Sequence, residues 1–382
     1  MRSILDNDQY KFTMQQAIMQ CFPRAEVKYK FIMRTEESFP KDFGFDLKSW
    51  VSSWVQFGLN SSQHYWLKEN CPFLTPTYLD FLKGYRFNPH EVEICQNGDK
   101  VSIDICGPWY RTVLWEVPLL AAISELYFKK SPVKCWNQNL CDFQVNSKRS
   151  LIRENKLSII DFGTRRRYSF DNQLRVVQKM EDGLVGTSNM HIAERLRRKP
   201  MGTHAHEWFM YHGVKYGYPA ANYLALQHWV DVYHGSLGIA LTDTYTSDVF
   251  YRSFGMMHSK LFDGVRHDSG MIEPFIKKTI AHYESQRIDP TTKTIVFSNN
   301  LKVSDAVNIQ EMCNRYGIRA SFGIGTSLTN DVGVEPLNMV IKLSDVLINK
   351  QWVPAVKLSD DTGKYTGDPN EIRRCKESLR LC

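Results

Sequence analysis

The chain has 382 residues, a hydrophobic fraction of 43%, a charged fraction of 23% and a net charge of +7. That length is enough for a large core and two or so domains, and the composition is ordinary for a soluble globular enzyme. The mild basic excess suits an anionic small substrate, and without a dense Lys/Arg tail or a basic stripe with interleaved aromatics, nucleic acid is the weaker reading.

Residues 5–22 read as an amphipathic helix, with Leu5, Phe12, Met14, Ala17, Ile18 and Phe22 on its apolar side. Asp6, Asp8 and Lys11 interrupt this segment, so it is not a signal peptide. Residues 26–33 read as a strand, and residues 40–85 are rich in Trp, Phe and Tyr around short helical patterns. Residues 91–105 alternate and turn at Asn97-Gly98, a hairpin signal. The most apolar stretch, 113–128, carries Glu116, Glu125 and Pro118. It is too short and too charged to span a bilayer and reads as a buried helix with Pro118 in its first turn. These elements predict an N-terminal α+β domain over residues 1–133, joined by part of the C-terminal segment.

From about residue 134 the pattern changes. Apolar runs at 158–160, 184–185, 236–241, 261–265, 294–297 and 318–322 each lead into a polar turn. Helices follow: one with Leu174, Val177 and Met180, one through Ile192 and Leu196, one near 247–254, one opened by Glu273-Pro274, and one over 304–316 closed by Gly317. Residues 337–343 and 352–358 read as further strands. Repeated strand–turn–helix units argue for a parallel α/β architecture. The polar residues gather after the strands and never before them. A (β/α) barrel places its site there, whereas a doubly wound sheet gathers ligands at one switch point. Polar turns after at least five strands favour the barrel, over residues 134–345, with a C-terminal strand and tail over 346–382.

Three Gly-Thr pairs, Gly163-Thr164, Gly186-Thr187 and Gly202-Thr203, sit at these turns. Glycine lets backbone approach a ligand and threonine adds a hydroxyl. Arg165, Arg166 and Arg167 supply guanidinium donors suited to phosphate or carboxylate. Taken singly, Arg167 is a solvated or ion-paired arginine, Phe162 a core aromatic, and Asp243 and Asp268 helix caps or ion-pair partners. Lys342 and Lys357 end strands, either as solvated lysines or as ligands at the barrel mouth. His204-Ala205-His206 has the HxH form that metal barrels use, and Asp243 or Asp268 could complete such a site. A metal-dependent hydrolase on a similar barrel is therefore the alternative reading. The nine cysteines are scattered without a CxxC pair, as expected for reduced thiols in a cytoplasmic protein.

The segments DFGTRRR (161–167), GTSN (186–189), GTHAHEW (202–208), TDTYTSD (242–248), GVRHDSG (264–270) and FGIGT (322–326), in this order and spacing, resemble nicotinate phosphoribosyltransferases. The early LDNDQYKFTM (5–14) resembles that family's N-terminal signature, and the likeness runs from about residue 4 to residue 360. It implies an irregular (β/α) barrel of the type II phosphoribosyltransferase kind with an N-terminal α+β domain. It also implies formation of nicotinate mononucleotide and pyrophosphate from nicotinate and phosphoribosyl pyrophosphate. ATP is then a co-substrate, hydrolysed through a phosphohistidine, and Mg²⁺ assists.

By this resemblance His206 is the phosphorylated histidine. Thr203, Arg165 or Arg166, and Arg266 hold nicotinate. Tyr10 and Phe162 sandwich the pyridine ring, and the tyrosine can come from a partner subunit, which implies a homodimer with shared sites. Gly325 and Thr326 bind phosphoribosyl pyrophosphate. Asp243 and Asp268 lie near ribose and metal, and no residue is assigned as a resident-metal ligand. His204 offers a second candidate two residues from His206, and His191 stands where the resemblance leads to a smaller or acidic residue.

Overall fold

Strands β1 (Glu26–Met33), β2 (Val92–Asn97) and β3 (Lys100–Pro108) open the chain's strand order. Six short strands follow: β4 (Ile159–Asp161), β5 (Leu184–Thr187), β6 (Ile239–Leu241), β7 (Gly264–His267), β8 (Thr294–Phe297) and β9 (Arg319–Ile324). The last two are β10 (Met339–Ile348) and β11 (Gln351–Pro354). This computed structural model describes residues 1–131 and 138–381.

The six middle strands form one parallel sheet in the order β5-β4-β9-β8-β7-β6. They are short and apolar because helices cover their outer face. The remaining five pair antiparallel in the order β11-β10-β1-β3-β2. The predicted hairpin is there, with Asn97 opposite Lys100 and Gly98 at φ +62°, a conformation that favours glycine.

The parallel sheet curls without closing by strand pairing. The segment before residue 206 bridges its two edges. Thr187 N donates to Lys199 O at 3.2 Å and Met201 N donates to Thr187 O at 2.9 Å, on the β5 side. On the β6 side, Leu241 N donates to the ring Nε2 of His204 at 3.3 Å. His204 thus satisfies an edge amide that a seventh strand would otherwise pair.

Several predicted limits shift. The first helix spans Gln9–Cys21 rather than 5–22, because Asp8 is extended and forms a β-bridge with Asn189. Strand β7 begins at Gly264 because 256–261 folds as a separate helix, Met256–Leu261. The helices Gln138–Glu154, His206–Tyr216, Tyr218–Tyr233 and Pro369–Leu379 are additional to those predicted. Strand β10 joins the N-terminal sheet, not the barrel, with Tyr29 opposite Leu343, and β11 of the C-terminal segment pairs beside it. The expected division at 345/346 therefore runs through a single strand, and the one at 133/134 lies outside the described residues. The helix Glu116–Lys130 is buried as expected, with Pro118 in its first turn. Among the described residues no helix is long and apolar enough to cross a membrane.

Candidate active site

The carboxyl ends of the parallel strands face β1 and β10 across a cavity of about 420 Å³, within the range of small-molecule sites. Tyr10, Phe162, Arg165, Arg166, Thr203, His206, Arg266, Asp268, Gly325 and Thr326 all line it. Asp243 lies just behind, fully buried. The sequence had scattered these residues over more than three hundred positions, and the barrel brings them to one place. The lining holds seven Arg or Lys side chains against four carboxylates, so the cavity attracts anions.

One end is aromatic. Phe162 follows β4 and rests on Gly323 of β9, where a Cβ would stand 2.3 Å from the ring. The first glycine of FGIGT therefore makes room for Phe162. The Arg266 guanidinium lies 6.0 Å from the Phe162 ring centre. Its Nε donates to Ser298 Oγ at 2.8 Å, Nη1 to Thr203 Oγ1 at 3.4 Å and Nη2 to Asp268 Oδ1 at 3.0 Å. Three of its five donors are used, which fixes the fork and leaves two. Arg165 pairs with Glu116 Oε1 at 3.4 Å and keeps 43% of its side chain exposed.

The other end is cationic without compensation. Among the described residues Arg34, Arg166 and Lys342 form no ion pair. Burial, then Arg165 and Arg34, push Arg166 down to about 10. Burial, then Lys357, push Lys342 down to about 7, and Arg165 and Arg34 add to this against the opposing pull of Glu116. Like charges converging on one cavity wall form a site that awaits an anion. Arg34, just past β1, had no signal in the sequence. Lys342 lines the cavity rather than the outer surface.

His206 opens the helix His206–Tyr216 and turns into the cavity. Its Nε2 lies 2.8 Å from Asp243 Oδ1 and 3.6 Å from Asp268 Oδ2. Asp243 Oδ2 accepts from Ser269 Oγ at 2.7 Å and Lys357 Nζ at 3.1 Å. Burial, then Lys357, push His206 down to about 4 against the pull of Asp243, so the ring is neutral at neutral pH. Burial would raise Asp243, but His206 and Lys357 hold it well below the usual carboxylate range. With Nε2–H donating to Asp243, Nδ1 carries the free lone pair. His204 faces the core instead, with its ring 5.1 Å from Phe209 and 4.9 Å from Trp229. The two histidines share no site.

That separation removes the HxH metal centre. Ligand atoms of His206, Asp243 and Asp268 do lie within 4.8 Å of one another. Both Asp243 oxygens are already engaged, one with the Lys357 ammonium, and Arg266 holds Asp268. A resident dication there would sit among fixed positive charges.

The Gly-Thr turns differ from expectation. Two glycines of the Gly-Thr pairs make room for protein: a Cβ at Gly163 would meet Thr329, and one at Gly186 would meet the Lys199 carbonyl, each at 2.3 Å; Gly163 and Gly202 also line the cavity. Thr164 and Thr187 bond inside the core, Thr187 to Asp161 Oδ2 at 2.7 Å, and only Thr203 reaches the cavity. Tyr10 lines the cavity within the same chain as Phe162 and Arg266. Arg167 is the ion-paired arginine anticipated, buried against Asp6 at 2.7 and 2.9 Å and Glu125 at 2.8 Å. His191 is structural too: its Nδ1 bonds Ser3 Oγ at 2.9 Å and its ring lies 5.4 Å from Phe170.

Residues 157–381 match the nicotinate phosphoribosyltransferase family, and residues 5–124 match the N-terminal domain of the same family. The chain is 50% identical to nicotinate phosphoribosyltransferase of Chromohalobacter salexigens over 99% of this chain and 98% of that one. It is 41% identical to that of Methanococcoides burtonii over 97% and 96%. Its fold superposes on the crystal structure of nicotinate phosphoribosyltransferase from Porphyromonas gingivalis with a TM-score of 0.96 and 42% identity, covering all of both chains. The corresponding structure from Vibrio cholerae gives 0.92 and 32%, over 99% of this chain and 94% of that one. With the motifs, the barrel and the cavity in agreement, this chain belongs to the nicotinate phosphoribosyltransferase family.

Proposed function

We propose that the cavity joins nicotinate to a phosphoribosyl group, giving nicotinate mononucleotide and pyrophosphate, and that ATP hydrolysis through His206 drives the reaction. One observation carries this reading: an aromatic end with two arginines adjoins a wall of three uncompensated cations. A flat aromatic acid fits the first, and a polyphosphate fits the second.

Tyr10 and Phe162, both half-buried, would stack on the pyridine ring. Arg266 and Arg165 would take its carboxylate, and so aim the ring nitrogen at the anomeric carbon. Arg34, Arg166 and Lys342 would bind the pyrophosphate, with Gly325 and Thr326 on the 5′-phosphate. The ring nitrogen's electron pair forms the new C–N bond as the anomeric C–O bond breaks, and pyrophosphate leaves with the electrons of the C–O bond. Asp268 faces the positive charge that develops on the sugar. For energy coupling, the His206 Nδ1 lone pair attacks the terminal phosphorus of ATP and ADP leaves. Asp243 steadies the ring's charge during that transfer, and water later hydrolyses the phosphoramidate.

Mg²⁺, when bound with the phosphates, would offset their negative charge. Asp268 Oδ2 suits it as a single carboxylate ligand, since its partner oxygen alone holds Arg266 and Ser298. A substrate panel tests the reading, with mononucleotide measured with and without ATP. Nicotinate should be used well ahead of nicotinamide, and ATP should stimulate it. Equal use of nicotinamide would remove the roles given to Arg165 and Arg266.

A further inference from the structure

Lys11 is fully buried behind the cavity wall and serves no step above. Its Nζ lies 2.6 Å from Glu116 Oε2 and also bonds Glu207 Oε1. Both carboxylates line the cavity, and each sits in the first turn of its helix. The other oxygen of Glu116 is the one that meets Arg165. Two cations and two anions thus form a neutral group spanning four segments: the helix Gln9–Cys21, the helix Glu116–Lys130, the turn at 164–166 and the helix that begins with His206. Burial alone would pull the Lys11 pKa down, yet Glu116 and then Glu207 hold it well above the usual lysine range.

The distances decide how Glu116 divides its charge. Lys11 is at 2.6 Å and Arg165 at 3.4 Å, so the ammonium takes the larger share. Arg165 stays loosely held, with close to half of its side chain open to the cavity. Without Lys11, Glu116 would turn to Arg165 as its one remaining ion-pair partner, and a bidentate carboxylate–guanidinium pair would occupy the fork. The substrate's carboxylate would then compete with a protein carboxylate for the same donors.

We propose that Lys11 is a positioning residue that neutralises Glu116 and so keeps Arg165 free for the carboxylate of the aromatic substrate. This deepens the binding reading and rests on Arg165 meeting that carboxylate. Lys11 touches no reactant. Its effect belongs in substrate affinity and requires Glu116 to be charged.

A double-mutant cycle on the full-length enzyme tests it, with steady-state kinetics against nicotinate. Lys11→Met should raise the nicotinate KM more than about tenfold while kcat changes less than about threefold, the loss expected when a charge-assisted contact is blocked. Lys11→Met/Glu116→Gln should bring the KM back to within about threefold of wild type, because a neutral amide in place of the carboxylate no longer holds the fork. A lesion in packing would not be repaired by a second core substitution. If Lys11→Met fails to fold, two charge-balanced doubles decide the matter. Lys11→Met/Glu207→Gln keeps Glu116 charged and should show the raised KM, whereas Lys11→Met/Glu116→Gln should not. A wild-type KM in Lys11→Met, or equal KM values in the two doubles, overturns the proposal. Arg165→Gln separates the two levels. A raised nicotinate KM there leaves the binding reading standing whatever Lys11 does. An unchanged KM removes that reading, and the role of Lys11 falls with it.

Discussion

Replacing Asp243 by Asn keeps the side chain's shape and removes its charge. In the native site Asp243 accepts from three donors: His206 Nε2, Ser269 Oγ and Lys357 Nζ. Asparagine offers one acceptor atom and one donor group in that position. If its NH₂ faces His206, Nε2 must become the acceptor, and the ring proton moves to Nδ1, the nitrogen proposed to attack ATP. If it faces the other way, it opposes Ser269 and Lys357, and the buried ammonium loses its counter-charge. Either arrangement also withdraws the carboxylate that supports positive charge on the ring. A charge-assisted hydrogen bond contributes roughly 1.5–3 kcal/mol, which is about ten- to 150-fold in rate at ~1.4 kcal/mol per factor of ten. Phosphorylation of His206 should therefore slow by at least about tenfold in Asp243→Asn. Rapid-quench labelling with γ-labelled ATP measures it, counting phosphate that is stable to alkali and labile to acid. Ligand-independent thermal unfolding controls for damage to the fold. Labelling at the wild-type rate in a folded Asp243→Asn protein would refute the role given to this carboxylate.

The His204→Ala protein should keep the label that His206→Ala loses. It should also be less stable by about 1–3 kcal/mol, since the Leu241 amide loses its buried acceptor; loss of the label would move the phosphorylation site to residue 204. Lys342, pushed down to about 7, is largely neutral above that pH in the free enzyme and must take up a proton to meet an anion. Pyrophosphate affinity, followed by calorimetry from about pH 7 to about pH 9, should fall up to about tenfold more per pH unit in wild type than in Lys342→Met. Equal slopes would clear Lys342 of that role. Mixing Tyr10→Ala with Arg266→Ala subunits should restore no turnover, because one chain supplies both residues to one cavity; recovery on mixing would return Tyr10 to a shared site in a homodimer.

The sequence was most legible where local pattern and function coincide. Each barrel strand is a short run, and residues just past it line the cavity, as at Phe162, Asp268, Ser298 and Gly325. What it concealed was pairing at long range. The strand at 337–343 could be recognised as a strand, but nothing in it names β1 as its neighbour, and so Lys342 and Arg34 could not be brought together. The helices His206–Tyr216 and Tyr218–Tyr233 were hidden by aromatic and histidine residues on several faces, which blur a helical period. Buried charge was concealed most thoroughly. Lys11 and Glu116 read as interruptions that kept two apolar segments from being a leader or a membrane span. In the fold they are paired across the cavity wall, and only the tertiary partner makes such burial tolerable. His204 and His206 stand two apart and were indistinguishable on an extended segment; the helix that starts at residue 206 separates them.

The seat of β1 between β3 and β10 has a consequence for the order of synthesis. Val27 leaves the ribosome long before its partner Val346 is made. At about 5–20 residues per second the gap is roughly 15–60 s. Once β3 is made, β1 can pair with it on one side but still presents unpaired amides and carbonyls on the other, beside apolar residues such as Tyr29 and Phe31. An open edge of this kind recruits other strands, including those of neighbouring nascent chains. Truncation before residue 339 makes the interval permanent, so the shortened protein should appear as aggregate in expression trials rather than as a folded, inactive barrel.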